Sequence, residues 1–162
     1  MPKKKYVIQV AGNPQYAKKP SPATPINNPS TGLALFGTFP AIDSNGTSFV
    51  GGPIYLRYGK HEGVGKGFGF EHIWQARFPN CVDQMTAAPF VTALINSILV
   101  SGASIHYEYG LGTQGRRSSV FRSSAGVLVV EERLDGNNNT FYSIVTAIQT
   151  QKVNGAQIGA IT

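Results

Sequence analysis

Apolar residues recur at helical or alternating spacing through most of the chain beyond residue 53, and far less regularly before it. Tyr6-Val7-Ile8-Gln9-Val10 has the pattern of a short strand. The segment after it is rich in Pro, Asn, Ser and Thr, and Pro20, Pro22, Pro25 and Pro29 interrupt any helix or central strand. Residues 1–52 are therefore expected to form an extended, Pro-rich N-terminal arm or linker. Gly51-Gly52-Pro53 then punctuates the chain. Ile54–Tyr58 alternates as a strand does, and Gly59–Gly69, with five glycines, is expected to be a loop. Phe70–Phe78 sets Phe70, Ile73, Trp74 and Phe78 on the apolar side of a short helix that Pro79-Asn80 ends. A second helix is predicted over Pro89–Val100, where Phe90, Leu94 and Ile98 recur at helical spacing. Pro89 suits its first position and Ser101-Gly102 its close.

The remaining pattern is that of an antiparallel meander, with strands at Ser104–Tyr109, Ser118–Ser123, Gly126–Arg133 and Phe141–Gln149. Asp135-Gly136-Asn137-Asn138-Asn139 marks the turn between the last two. The Gly- and Ala-rich tail, 153–162, is expected to fray. Helices followed by a run of strands predict an α+β domain over 53–152, its N-terminal helices packed on a twisted antiparallel sheet.

Composition narrows the function classes. No apolar run reaches the roughly 18 residues of a membrane span. The basic start, Met-Pro-Lys-Lys-Lys, leads into no apolar stretch, so no secretory signal is expected. The net charge is +6 and the isoelectric point about 9.6, which favours polyanionic partners, nucleic acid first among them. A single cysteine, Cys81, excludes a disulfide or a cysteine-based zinc site within the chain, and a structural thiol is the expectation for it.

Histidine is the side chain best suited to proton transfer near neutral pH, and the chain has three. His61 and His72 flank the glycine-rich segment, whose backbone freedom can bring the two imidazoles together. Metal-independent RNA cleavage requires a base for the 2′-hydroxyl, an acid for the departing 5′-oxygen, and positive charge on the phosphate. His61 and His72 are the candidates for the first two roles. For the third, Lys66, Arg116, Arg117 and Arg122 are available, with Lys60 also in the loop. His106, between strand residues Ile105 and Tyr107, is expected to be packed. The glycine spacing matches neither a dinucleotide nor a P-loop fingerprint, and no cofactor or metal is expected.

Gly69-Phe70-Glu71-His72-Ile73 resembles the Gly-Phe-Glu-His-hydrophobic signature of EndoU-type ribonucleases. The order of elements resembles the wider barnase/EndoU/colicin/RelE-like group, including phage-associated and contact-dependent toxin nucleases. Ser143-Ile144-Val145-Thr146-Ala147 resembles that group's final strand, in which a Thr or Ser contacts the scissile phosphate. The resemblance covers roughly residues 53–150. It implies His72 and His61 as acid and base, Thr146 on phosphate, and Tyr142 among the substrate-binding residues. EndoU proteins use a lysine downstream of the histidines, and this chain has none between Lys66 and Lys152. Arg117 or Arg122 would have to take its place, as arginine does elsewhere in the wider group.

The resemblance further implies an endoribonuclease toxin that leaves a 2′,3′-cyclic phosphate and cuts tRNA or other RNA. It would act as a monomer in a target cell's cytoplasm, be secreted or delivered on a larger carrier, and be neutralised by an acidic immunity protein. The alternative is a non-catalytic RNA-binding or structural component of a virion or secretion apparatus, for which the two histidines need not meet. A small-nucleotide phosphate enzyme is a third, weaker fit, because acidic residues are few and scattered.

Overall fold

The computed structural model describes residues 19–44, 46–108 and 116–162, so the strand expected at Tyr6–Val10 lies outside the described residues. Six strands come first: β1 (Leu35–Phe39), β2 (Ile42–Ser44), β3 (Thr47–Phe49), β4 (Gly52–Tyr55), β5 (Lys60–Gly63) and β6 (Lys66–Phe68). Two helices follow, α1 (Gly69–Arg77) and α2 (Gln84–Ile98). The chain then runs through β7 (Ser104–Tyr107), β8 (Ser118–Ser123), β9 (Gly126–Leu134), β10 (Thr140–Ile148) and β11 (Ala156–Ala160). The fold is α+β. A seven-stranded sheet has the order β1-β4-β10-β9-β8-β7-β11 and is antiparallel except where β4 runs parallel to β10. No helix among the described residues is long and apolar enough to cross a membrane.

The meander strands form close to the expected bounds. Four other segments differ, each for a physical reason. The helices follow six strands and do not lead the chain, because part of the expected arm is sheet. Leu35–Phe39 lies between Pro29 and Pro40, free of proline, and places Phe39 wholly in the core. The glycine-rich loop is a hairpin: β5 and β6 pair antiparallel through backbone, with glycine supplying the positive φ at Gly65. Helix α2 starts five residues before Pro89, where Asp83 accepts hydrogen bonds from the Thr86 backbone and hydroxyl at 2.8 Å. Pro89 thus sits in the helix interior and leaves the Met85 carbonyl without its usual intrahelical donor. The expected frayed tail contains β11, held by backbone pairing with β7 despite its small side chains.

One buried cluster joins both helices to the sheet. Phe70 and Ile73 of α1 and Val91, Ile95 and Ile98 of α2 share it with Phe39, Ile54, Phe121, Leu128, Val130, Tyr142 and Ile144. Strand alternation therefore divides β10 into two sets: Tyr142, Ile144 and Ala147 point into this core, each at 0% exposure, and Ser143 and Thr146 point the other way. Three positions separate Ser143 from Thr146, which would normally place them on opposite faces. A bulge between Ile144 and Thr146 resolves the parity, since Ser143 pairs with Glu131 and Thr146 with Val129, two residues apart on β9. Without that extra residue Thr146 would enter the core.

Ile144→Ala is expected to cost about 2–5 kcal/mol by urea unfolding, as a buried large-to-small change does. Val145→Ala, at the half-buried bulge, should cost clearly less.

Candidate active site

Helix α1 begins without a side-chain cap. Its first amides are instead satisfied by the segment that follows β4: Phe70 N–H donates to the Arg57 carbonyl at 2.9 Å and Glu71 N–H to the Tyr58 carbonyl at 2.8 Å. The β5–β6 hairpin lies between these two stretches and folds back over the helix start. Gly67 permits this. Its φ is +131°, and a Cβ there would run into the Lys60 carbonyl and come within 3.0 Å of His72 Nδ1.

Glu71 fastens the hairpin to the helix. Its carboxylate is buried, accepts the His61 N–H at 2.9 Å and pairs with Lys19 Nζ at 2.9 Å. The phenol of Tyr58 is also hydrogen-bonded to it. Burial and this carboxylate push the Tyr58 phenol well above its usual range, so it stays a neutral donor. An acidic group in the first helical turn is also favoured by the helix dipole.

With the hairpin held there, His61 Nδ1 lies 3.1 Å from His72 Nδ1, and the two rings stack loosely with centroids 5.3 Å apart. A contact of this length between two imidazole nitrogens needs a proton on one and a lone pair on the other. His72 is 4% exposed. Burial, then His61, then Arg77 depress its pKa below the ordinary imidazole value, against a backbone hydrogen bond at Lys66 that raises it.

Arg77, in the last turn of α1, donates from Nε to the Ala147 carbonyl at 2.8 Å and from Nη2 towards Thr146 Oγ1 at 3.4 Å. Arg77 thus contacts Thr146, and its charge is felt at His72, the partner of His61. Arg77 was not anticipated from the sequence. The signal available was a cation five residues beyond His72 on the same helix. Glu71 stood inside the quoted motif without a role of its own.

Other expected site residues lie elsewhere. Arg117 grips Glu132 with two hydrogen bonds of 2.9 and 2.7 Å, donates to the Ser48 carbonyl and stacks on Phe49, 3.8 Å from the ring centre. It shares the core-facing side of the sheet with Tyr142, away from Thr146. Tyr142 has no exposed surface: it stacks on Phe39 and donates to the Val50 carbonyl. It belongs to the core and is not placed to bind substrate. Arg122 faces the same side as Thr146 but on β8, two strands from β10. Arg116 pairs with Glu131 at 3.6 Å. On the hairpin, Lys60 pairs with Glu62 at 2.6 Å and Lys66 is exposed. His106 is buried beside Ser104, its Nε2 2.8 Å from the hydroxyl, and Cys81 is half-buried. Among the described residues no three His, Cys, Asp or Glu side chains gather as metal ligands would.

The depressed pKa of His72 has a consequence for stability. The unfolded chain takes up this proton near the free-histidine value of 6.5, and the folded chain only at lower pH. Its contribution is therefore intact above about pH 6.5 and lost as pH falls through that value. Buried His106 acts with the same sign. Thermal unfolding should show the melting temperature falling between pH 7 and pH 5, with a shallower fall in His72→Gln; an equal slope in both would contradict the assignment.

No family model, curated protein or solved structure matches this chain, so the functional argument rests on the geometry of the site itself.

Proposed function

We propose that the chain is a metal-independent endoribonuclease that cleaves RNA by attack of the 2′-hydroxyl on the adjacent phosphate. The observation that carries this reading is the 3.1 Å contact between His61 Nδ1 and His72 Nδ1, with the cation of Arg77 close enough for its charge to act on His72. A neutral imidazole pair joined through Nδ1 holds two protons on four nitrogens. The ring that donates its Nδ1 proton has a bare Nε2, and the ring that accepts has a protonated Nε2. One contact thus supplies both a base and an acid.

In the proposed step the bare Nε2 removes the 2′-hydroxyl proton and the 2′-oxygen forms a bond to phosphorus. The bond from phosphorus to the 5′-oxygen breaks, and the protonated Nε2 of the other ring gives that oxygen its proton. The products are a 2′,3′-cyclic phosphate and a 5′-hydroxyl. As the base gains a proton and the acid gives one up, the shared proton crosses the Nδ1 contact in the same step, so that no free imidazolate forms. This passage leaves both rings neutral with their roles exchanged. Arg77 and the Thr146 hydroxyl are suited to hold the phosphate as its charge grows.

The helix-then-meander order of α1, α2 and β7–β10 supports a barnase/EndoU/colicin/RelE-like fold, with His72 opening a helix and Thr146 on a late strand. The net charge of +6 suits RNA and, on the same surface, an acidic inhibitor. We extend the reading accordingly: a toxin domain carried by a larger protein, acting as a monomer on tRNA or other RNA in a target cell's cytoplasm, with an acidic immunity protein as partner.

Incubation with total tRNA in EDTA should give discrete fragments with cyclic phosphate ends. His72→Ala and His61→Ala should each reduce the rate by about 10²–10⁴-fold while circular dichroism shows the fold retained. Undiminished cleavage by folded His72→Ala would overturn the proposal. Oligonucleotide binding without cleavage would favour the non-catalytic alternative.

A further inference from the structure

The face of the sheet that carries Thr146 holds a second cluster of cations. Arg57, reaching over β10, donates from Nε to Ser143 Oγ at 2.8 Å, and its guanidinium lies 4.6 Å from the centre of the Phe68 ring. Arg133 on β9 pairs with Glu131 at 2.8 Å, and Arg116 approaches the same Glu131 oxygen at 3.6 Å. Ser143 and Glu131 are register partners across β10 and β9, so Arg57 lies alongside the carboxylate that Arg116 and Arg133 contact, within reach of its charge.

Three guanidiniums against one carboxylate leave a charge of about +2 at a partly buried place, where cations repel more than in water. Burial, then Arg133, lower the Arg57 pKa to about 10; Glu131 opposes this and Arg116 adds to it. Glu132, the neighbouring acid, has both oxygens committed to Arg117. At one end of the cluster, where Arg116 and Arg133 meet Glu132, Leu134 and Thr140, lies an open depression of about 510 Å³. Such a cluster is completed by an anion with several oxygens, which planar guanidiniums bind in pairs.

Two aromatic rings adjoin it. Phe141 is the register partner of Arg133, and Tyr55 the partner of Ser143 on the parallel strand. Both rings are half-buried, with centroids 5.8 Å apart. Rings beside a phosphate-binding cluster offer faces on which an unpaired base can stack. Along β10 Ser143 lies three residues from Thr146, a stretch that the bulge shortens to two residue steps of β9, about 7 Å.

We propose that Arg57, Arg116 and Arg133 bind a backbone phosphate of a single-stranded polynucleotide and that Phe141 and Tyr55 stack one of its bases. The site is a nucleotide subsite one or two positions from the histidine pair. The inference builds on the ribonuclease reading by naming its substrate as an unpaired strand that spans both places. Duplex is excluded from the subsite because its bases are already stacked.

The test is fluorescence anisotropy with a short labelled oligothymidylate, which lacks the 2′-hydroxyl and so reports binding apart from cleavage. Arg133→Gln should weaken binding and lower the magnitude of the salt slope by about one. Phe141→Ala, which leaves the charges in place, should weaken it about tenfold with the salt slope unchanged. Thermal melting of both variants checks that they fold. Affinities within twofold of wild type in both, or tighter binding to blunt duplex than to single strand, would overturn the subsite. If both effects appear but no RNA is cleaved, the subsite stands and the ribonuclease reading falls. If RNA is cleaved but both variants bind like wild type, the reverse holds.

Discussion

The buried carboxylate of Glu71 ties together the three pieces on which the site depends. It sits in the first turn of α1, accepts the backbone amide of His61 from the hairpin, and is bonded to Tyr58 in the segment leading from β4. A carboxylate in that position must be satisfied on several sides, since leaving it bare would cost several kcal/mol. Satisfying it fixes how far the hairpin can swing. The 3.1 Å approach of His61 to His72 follows from that restraint and from the absence of a side chain at Gly67.

A second constraint acts along β10. Hydrophobic burial sends Tyr142, Ile144 and Ala147 inward, and one extra residue between the last two lets Ser143 and Thr146 share the opposite face. That face collects Arg57, Arg116, Arg122 and Arg133, with Arg77 reaching Thr146 from the helix. Of the five arginines on or beside the strands only Arg117 lies on the core side, where Glu132 neutralises it. The arginine charge of the sheet is thus sorted by strand parity largely onto one face.

Parity also explains what the sequence concealed. The meander was readable because β8, β9 and β10 alternate or run apolar between clear turns, and α1 because Phe70, Ile73 and Trp74 have helical spacing. That His61 and His72 could meet followed from glycine content alone. The hairpin between them was not legible: Lys60-His61-Glu62-Gly63 has no apolar alternation, and backbone bonds make the strands. β11 was obscured by its small residues for the same reason. Arg116 and Arg117 are adjacent in sequence yet face opposite sides, a distinction that requires the register with Glu131 and Glu132. Arg77 serves the site through the approach of α1 to β10, a long-range contact that no local pattern encodes.

The central claim is that His61 and His72 form one proton-sharing unit. Nitrogen-15 NMR of histidine-labelled protein across pH 4–9 tests it most directly, because the shift of each ring nitrogen reports whether it carries a proton. The account predicts that near neutral pH one Nδ1 is protonated and the other bare, that His72 takes up its second proton below the ordinary imidazole value, and that His72→Gln abolishes this unequal Nδ1 pair. Two rings that each have Nδ1 bare in the neutral form, with neither sensing the protonation of the other, would contradict it.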